Sequence, residues 1–110
     1  MDNATHYEFF PNEIARTLPP LYAQDDKGEQ AIVHVKFFTP DSNWTWYVTE
    51  FDPDEGLFFG LVIGIEMELG YFSLRELKSS RGPLGLAIER DIHWTPTTIE
   101  EIRSRYDTNR

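Results

Sequence analysis

The sequence contains no cysteine. That absence removes disulfides, thiolate nucleophiles and thiolate metal ligands together, and it fits a reducing compartment. Long apolar runs are missing too. The longest, residues 57–65, covers nine positions including Gly60 and Gly64, whereas a helix crossing a bilayer needs ~20 apolar residues. The first six residues have neither the basic start nor the apolar stretch of a secretion signal, and Phe9-Phe10 runs directly into Pro11. A cytoplasmic location without membrane contact is therefore expected.

Positive charge is the other scarcity. Ten Lys and Arg residues face nineteen Asp and Glu, a net charge of −9. Between residues 37 and 74 the acids Asp41, Glu50, Asp52, Asp54, Glu55, Glu66 and Glu68 meet no Lys or Arg at all. Such a chain repels nucleic-acid phosphates and anionic lipids. The terminal arginines Arg103, Arg105 and Arg110 are too few to build a DNA-binding face, so direct nucleic-acid binding is not expected.

What is present suffices for a core. With 110 residues and 15% aromatic side chains, the chain is expected to form one domain over residues 1–110, frayed at 1–6 and 107–110. Asn12-Glu13-Ile14-Ala15-Arg16 after Pro11 reads as a short helix stopped by Pro19-Pro20. Asp25 to Glu29 form a turn cluster, after which the pattern has period two. Val33, Val35 and Phe37 alternate with His34 and Lys36, and Thr39 to Asn43 turn the chain into Trp44-Thr45-Trp46-Tyr47-Val48-Thr49-Glu50-Phe51, a hairpin partner. From Leu57 the odd positions Leu57, Phe59, Leu61, Ile63, Ile65 and Met67 form a core face. A break at Gly64 or Gly70 would divide this region into two strands. Gly56, Gly60 and Gly64 share the other face and could leave a shallow groove beside the tryptophans.

Ser73-Leu74-Arg75-Glu76 is a capping box that starts a helix running through Lys78. Leu86, Ile88, Ile92 and Trp94 suit one side of a further strand. Thr95-Pro96 opens a last helix with the stripe Ile99, Ile102 and Tyr106. These elements predict an α+β fold: a mainly antiparallel sheet of four to five strands packed by a short helix and a C-terminal helix.

Six strings of residues carry a family resemblance: Leu18-Pro19-Pro20-Leu21-Tyr22-Ala23-Gln24, Val35-Lys36-Phe37-Phe38, Trp44 through Asp52, Phe58-Phe59-Gly60-Leu61-Val62, Glu68 through Leu74, and Ile88-Glu89-Arg90-Asp91. In this order the chain resembles an uncharacterised bacterial domain family of unknown function, typical of plasmids, phages and integrated mobile elements. The resemblance implies a genomic setting and brings no catalytic residues.

Candidate sites follow from charge and aromaticity. Glu50 with Asp52, and Glu66 with Glu68, are pairs that share a strand face; they suit acid–base or cation chemistry if they converge, and simple solvation of strand edges if they do not. Asp52-Pro53-Asp54-Glu55-Gly56 departs from a calcium loop, with its glycine one position early and no distal glutamate, so no metal site is assigned. His93 beside Asp91 forms either an oriented base or a surface pair. Trp44 and Trp46 share a face opposite Tyr47 and are either core or an open binding surface. Arg90, on an apolar face, calls for a structural ion pair, with Glu66 or Glu68 as partner.

No catalytic residue and no cofactor is assigned. The leading expectation is a non-enzymatic acidic module that engages a basic protein through Trp44, Trp46, Tyr47, Glu50, Asp52, Asp54, Glu55, Glu66 and Glu68, as an anti-defence or DNA-mimicking protein would. The alternative is a small carboxylate- or metal-dependent hydrolase using Glu50, Asp52, Glu66 or Glu68.

Overall fold

The computed structural model describes residues 7–107. The expected fraying of 1–6 and 108–110 lies outside those bounds, while Asp107 closes the last helix. Along the chain come helix α1 (Asn12–Ala15), a 3-10 segment (Asp25–Gln30), β1 (Ile32–Val33), β2 (Val35–Phe38), β3 (Thr45–Asp52), β4 (Leu57–Ile63) and β5 (Met67–Ser73). Helix α2 (Leu74–Ser79), β6 (Glu89–Arg90), β7 (Thr97–Thr98) and α3 (Ile99–Asp107) complete it. The fold is the expected α+β, with one antiparallel five-stranded sheet in the order β5–β4–β3–β2–β6. A two-stranded ribbon, β1 with β7, stands beside it.

Over β2, β3 and β4 both faces of the large sheet are covered, because alternating positions on these strands are apolar on each side. On one face Val35, Phe37, Val48, Phe51, Phe58 and Phe72 pack with Leu18, Leu77 and Ile88. On the other, Tyr47 and Leu61 meet Ala31, Val33, Ile99 and Ile102, so α3 docks through the apolar stripe expected for it. Residues Phe9 and Phe10, which carried no weight in the sequence, close the first core. The Phe10 ring lies edge-on to Phe51 and Phe58 at 5.0 and 5.2 Å, and Phe9 stacks on Phe37 at 4.8 Å.

Several local expectations change in space. The period-two run from Ile32 is broken at His34, whose N–H bonds to the Val48 carbonyl at 2.9 Å, so β1 leaves to pair with β7. Thr97 and Thr98 consequently form a strand, and α3 starts at Ile99 with the Thr98 hydroxyl accepting the Glu101 N–H at 3.1 Å. Only Glu89–Arg90 of the expected strand around Ile88 pairs with β2, and Leu86 and Ile92 are exposed. By contrast, Ser73 caps α2 as its capping box requires, accepting the Glu76 N–H at 3.0 Å.

The single core face expected for residues 57–67 is two faces and two strands. Phe58 is fully buried on the even side, and the chain turns at Gly64 to give β4 and β5. The glycine face leaves no groove at Gly60 or Gly64. A side chain at Gly60 would strike the Tyr47 carbonyl, and one at Gly64 would strike the Trp44 ring.

Phe58 is the centre of the aromatic core, with Phe10, Phe37, Phe51 and Phe72 around it at 4.7 to 5.5 Å. Phe58→Ala is expected to lower unfolding stability by about 3–5 kcal/mol, read as a reduced urea midpoint at unchanged m-value.

Candidate functional site

The candidate surface is anchored on an irregularity in β3. Val48 pairs with Gly60 but Glu50 pairs with Phe59, so Thr49 is an extra residue in a β-bulge. The bulge reverses the parity of the strand. Phe51 joins Val48 on the phenylalanine side, and Glu50 is carried to the opposite face.

There Glu50 is 3% exposed and accepts two backbone N–H groups, from Tyr22 at 2.8 Å and Gln24 at 2.7 Å. Gln24, also buried, completes the junction. Its amide donates to the carbonyls of Ile32 and Thr49 at 3.0 and 2.9 Å, and its side-chain oxygen accepts the Ile32 N–H at 2.7 Å. Burial of a carboxylate without a cation is tolerable here because both oxygens meet charge-assisted donors.

Holding two N–H groups on one carboxylate forces the backbone between them. Tyr22 has φ +75°, the one non-glycine residue in the left-handed region among the described residues. The residue is not buried in return; it is 62% exposed and lies beside Tyr71, itself 52% exposed on β5. Hydrogen bonding to Tyr22, then burial and the nearby charges of Tyr22, Asp25 and Glu50, raise the Tyr71 pKa. With Leu69, half exposed on the same strand side, these residues form an apolar and aromatic patch along β5.

The seven central acids separate into inward and outward groups. Glu50 is consumed by the Tyr22–Gln24 backbone, and Asp41 accepts the Leu84 N–H at 2.8 Å beside Gly82. Asp52 bonds the Asp54 N–H at 3.0 Å within the β3–β4 turn. Asp54 and Glu55 stand exposed in that turn, where a recess of about 780 Å³ also includes Arg75 and Lys78. Glu66 and Glu68 stand at the other end of β4. With Trp44, Val62 and Ile65 they line an open recess of about 390 Å³ that contains no basic residue among those described.

The tryptophan alternatives are thereby divided. Trp46 packs against the first core, while Trp44 stacks on it at 6.0 Å and is 40% exposed at the recess. Tyr47 faces the second core, its hydroxyl 2.9 Å from that of Tyr106; burial and that bond raise its pKa.

Other expected groupings do not form. Glu50 and Glu68 lie on opposite faces of the sheet, so the carboxylate pairs do not converge. Among the described residues no three His, Asp or Glu side chains come together as metal ligands. Asp91 accepts the backbone N–H of His93 at 2.9 Å and pairs with Lys36 at 3.8 Å. Arg90 makes no ion pair with Glu66 or Glu68, because β6 and β5 are opposite edges of the sheet. Its guanidinium instead bonds the carbonyls of Phe9 and Glu8, both at 3.0 Å, and Tyr7 bonds its N–H at 2.8 Å. It ties the N-terminal segment to the sheet.

Residues 12–103 match the family described as protein of unknown function, DUF2958. The chain belongs to that family. The matched region includes the bulge, the Gln24 junction and all seven central acids, so the features that distinguish this surface lie inside the DUF2958 domain. No curated protein and no solved structure matches the chain. No helix among the described residues is long and apolar enough to cross a membrane.

Sequence reasoning missed Tyr22 and Gln24. Only the unusual burial of an amide and a carboxylate reveals them, and neither spacing nor hydropathy encodes a contact 26 or 28 residues away.

Two outcomes test this geometry. Glu50→Gln replaces one acceptor oxygen with a donor facing an N–H group, and is expected to lower stability by about 2–3 kcal/mol. Faster hydrogen exchange at the Tyr22 and Gln24 amides should accompany it. His34 is half-buried and desolvation lowers its pKa from 6.5. Below pH 6.5 the unfolded chain therefore binds more protons at this position. The stability contributed by neutral His34 is complete above that value and drains as pH falls through the window beneath it. Urea titrations from pH 7.5 down to about 5.5 should show a shallower loss in His34→Gln than in the parent protein.

Proposed function

We propose that this DUF2958 protein is a non-enzymatic binding module that docks a basic protein surface through carboxylates left without internal counter-ions. One observation carries the reading. The ion pairs among the described residues, Lys36–Asp91, Arg103–Glu29 and Arg105–Glu101, use no acid between residues 37 and 74. Unpaired charge on a stiff sheet acts at long range and accelerates encounter with a partner of opposite sign.

Glu66 and Glu68 lead this surface because no cation shares their recess, whereas Asp54 and Glu55 share theirs with Arg75 and Lys78. The two groups are separated by the seven residues of β4, roughly 20 Å at strand rise. That spacing favours a local acidic foothold over the continuous rows of charge with which a DNA mimic replaces a duplex. A mobile-element setting, which the family resemblance implies, makes a host defence or DNA-handling protein the partner class to seek.

Immobilised protein should retain a basic bacterial protein at about 50 mM salt and release it by about 500 mM, as screened charge requires. The Glu66→Lys, Glu68→Lys double variant should retain markedly less. Absence of any basic partner at the lowest salt, or equal retention by the double variant, counts against this reading.

A further inference from the structure

The edge of the sheet at β5 carries more information than its charge. β5 is seven residues long and, among the described residues, has a hydrogen-bonded neighbour on one side only, β4. The bonds Gly64 N–H to Glu66 carbonyl and Leu74 N–H to Gly56 carbonyl fix which residues face that neighbour. In an antiparallel ladder the pairs alternate, so the even positions Glu68, Gly70 and Phe72 bond to β4. Met67, Leu69 and Tyr71 turn their amide and carbonyl groups outward, with no strand among the described residues to receive them.

The side chains flanking these free groups differ on the two faces. One face presents Leu69 and Tyr71, with the Tyr22 ring beside Tyr71, all at least half exposed. The other presents Glu68 and then Glu66 at the rim of the Trp44–Ile65 recess, Ile65 being 93% exposed. An aromatic ring beside two carboxylates suits the stem and head of a lysine or arginine side chain. The strained φ of Tyr22 sets an exposed ring beside this edge at a conformational cost that burial of the ring does not repay.

We propose that β5 is a strand-addition site for an extended, alternating segment of a partner protein, whose basic side chains meet Glu66 and Glu68 while its apolar ones cover Leu69 and Tyr71. This rests on the acidic-docking reading and specifies its mode: main-chain bonds supply affinity, and the two unlike faces supply register and sequence preference. Charge complementarity selects this occupant over a second copy of the chain. Pairing two β5 edges would bring together two molecules of net charge −9 and place Glu68 of each beside an acid-rich neighbour.

The test uses the whole protein and a fluorescein-labelled peptide that alternates lysine and valine over the seven-residue length of β5. A second peptide has the same composition with its lysines in one block. Anisotropy should show the alternating peptide binding about three- to tenfold more tightly, as one or two additional main-chain bonds would give. On binding, amide exchange should slow at Leu69 and Tyr71 while the outer face of β6 is unchanged.

Leu69→Pro removes one outward N–H that β4 does not use. It is expected to abolish the preference between peptides while leaving a weak, salt-sensitive attraction to both. The exchange measurement on the unaltered protein decides the matter if that variant does not fold. Equal affinity for the two peptides, or protection confined to the β3–β4 turn, overturns strand addition and leaves the wider acidic-docking reading standing. So does a failure of both peptides to bind, since that reading is judged separately by capture of a basic protein. Sedimentation showing a dimer that Leu69→Pro dissolves would assign the edge to a second copy and overturn the proposal.

Discussion

A carboxylate buried at a bulge in the central part of the sheet sets the geometry of everything around it. The buried Glu50 carboxylate needs hydrogen-bond donors in place of water, and the chain supplies two from the Tyr22 and Gln24 backbone. Those bonds draw residues 22–24 against β3, and Gln24 in turn binds Ile32 and Thr49. Hydrogen bonds to a charged group contribute roughly 1.5–3 kcal/mol each. Loss of Glu50 would leave the Tyr22 and Gln24 N–H groups unsatisfied together, in the segment that the Gln24 side chain also ties to Ile32 and Thr49, so the junction acts as a unit and not as separate contacts.

The bulge also explains why part of the fold was legible in the sequence and part was not. Where a strand obeys simple alternation, as in β2, the burial pattern follows from the residues. Ser73 before Glu76 identified the start of α2 because capping is local chemistry. The extra residue at Thr49 is invisible to a period-two reading: Glu50 shares the parity of Val48 in sequence, yet lies on the opposite side in space. The exit of β1 to pair with β7, and the recruitment of Phe9 and Phe10 to the core, depend on contacts across most of the chain. Local propensity carries no term for them.

The same distinction governs the candidate surface. A count of charge finds seven acids without a cation in the middle of the sequence, but it cannot separate those spent inside from those left outside. Glu50 and Asp41 satisfy backbone donors, and Asp52 organises a turn. Asp54 and Glu55 have Arg75 and Lys78 near them. Only Glu66 and Glu68 combine exposure with an uncompensated setting and an aromatic neighbour in Trp44. The acidic composition thus becomes a functional clue chiefly at one hairpin end.

That hairpin end adjoins a strand edge of the kind proteins usually protect. Long apolar edges invite uncontrolled pairing, and charges along them oppose it. β5 has such charge on one face at Glu68, but on the other it displays Leu69 and Tyr71 and adds Tyr22 from a strained loop. A purely protective design would have placed polar groups on both faces. On the strand-addition proposal this asymmetry would disfavour a second acidic copy while leaving the edge open to a chain of opposite charge, so the same carboxylates would both oppose self-pairing and select the partner.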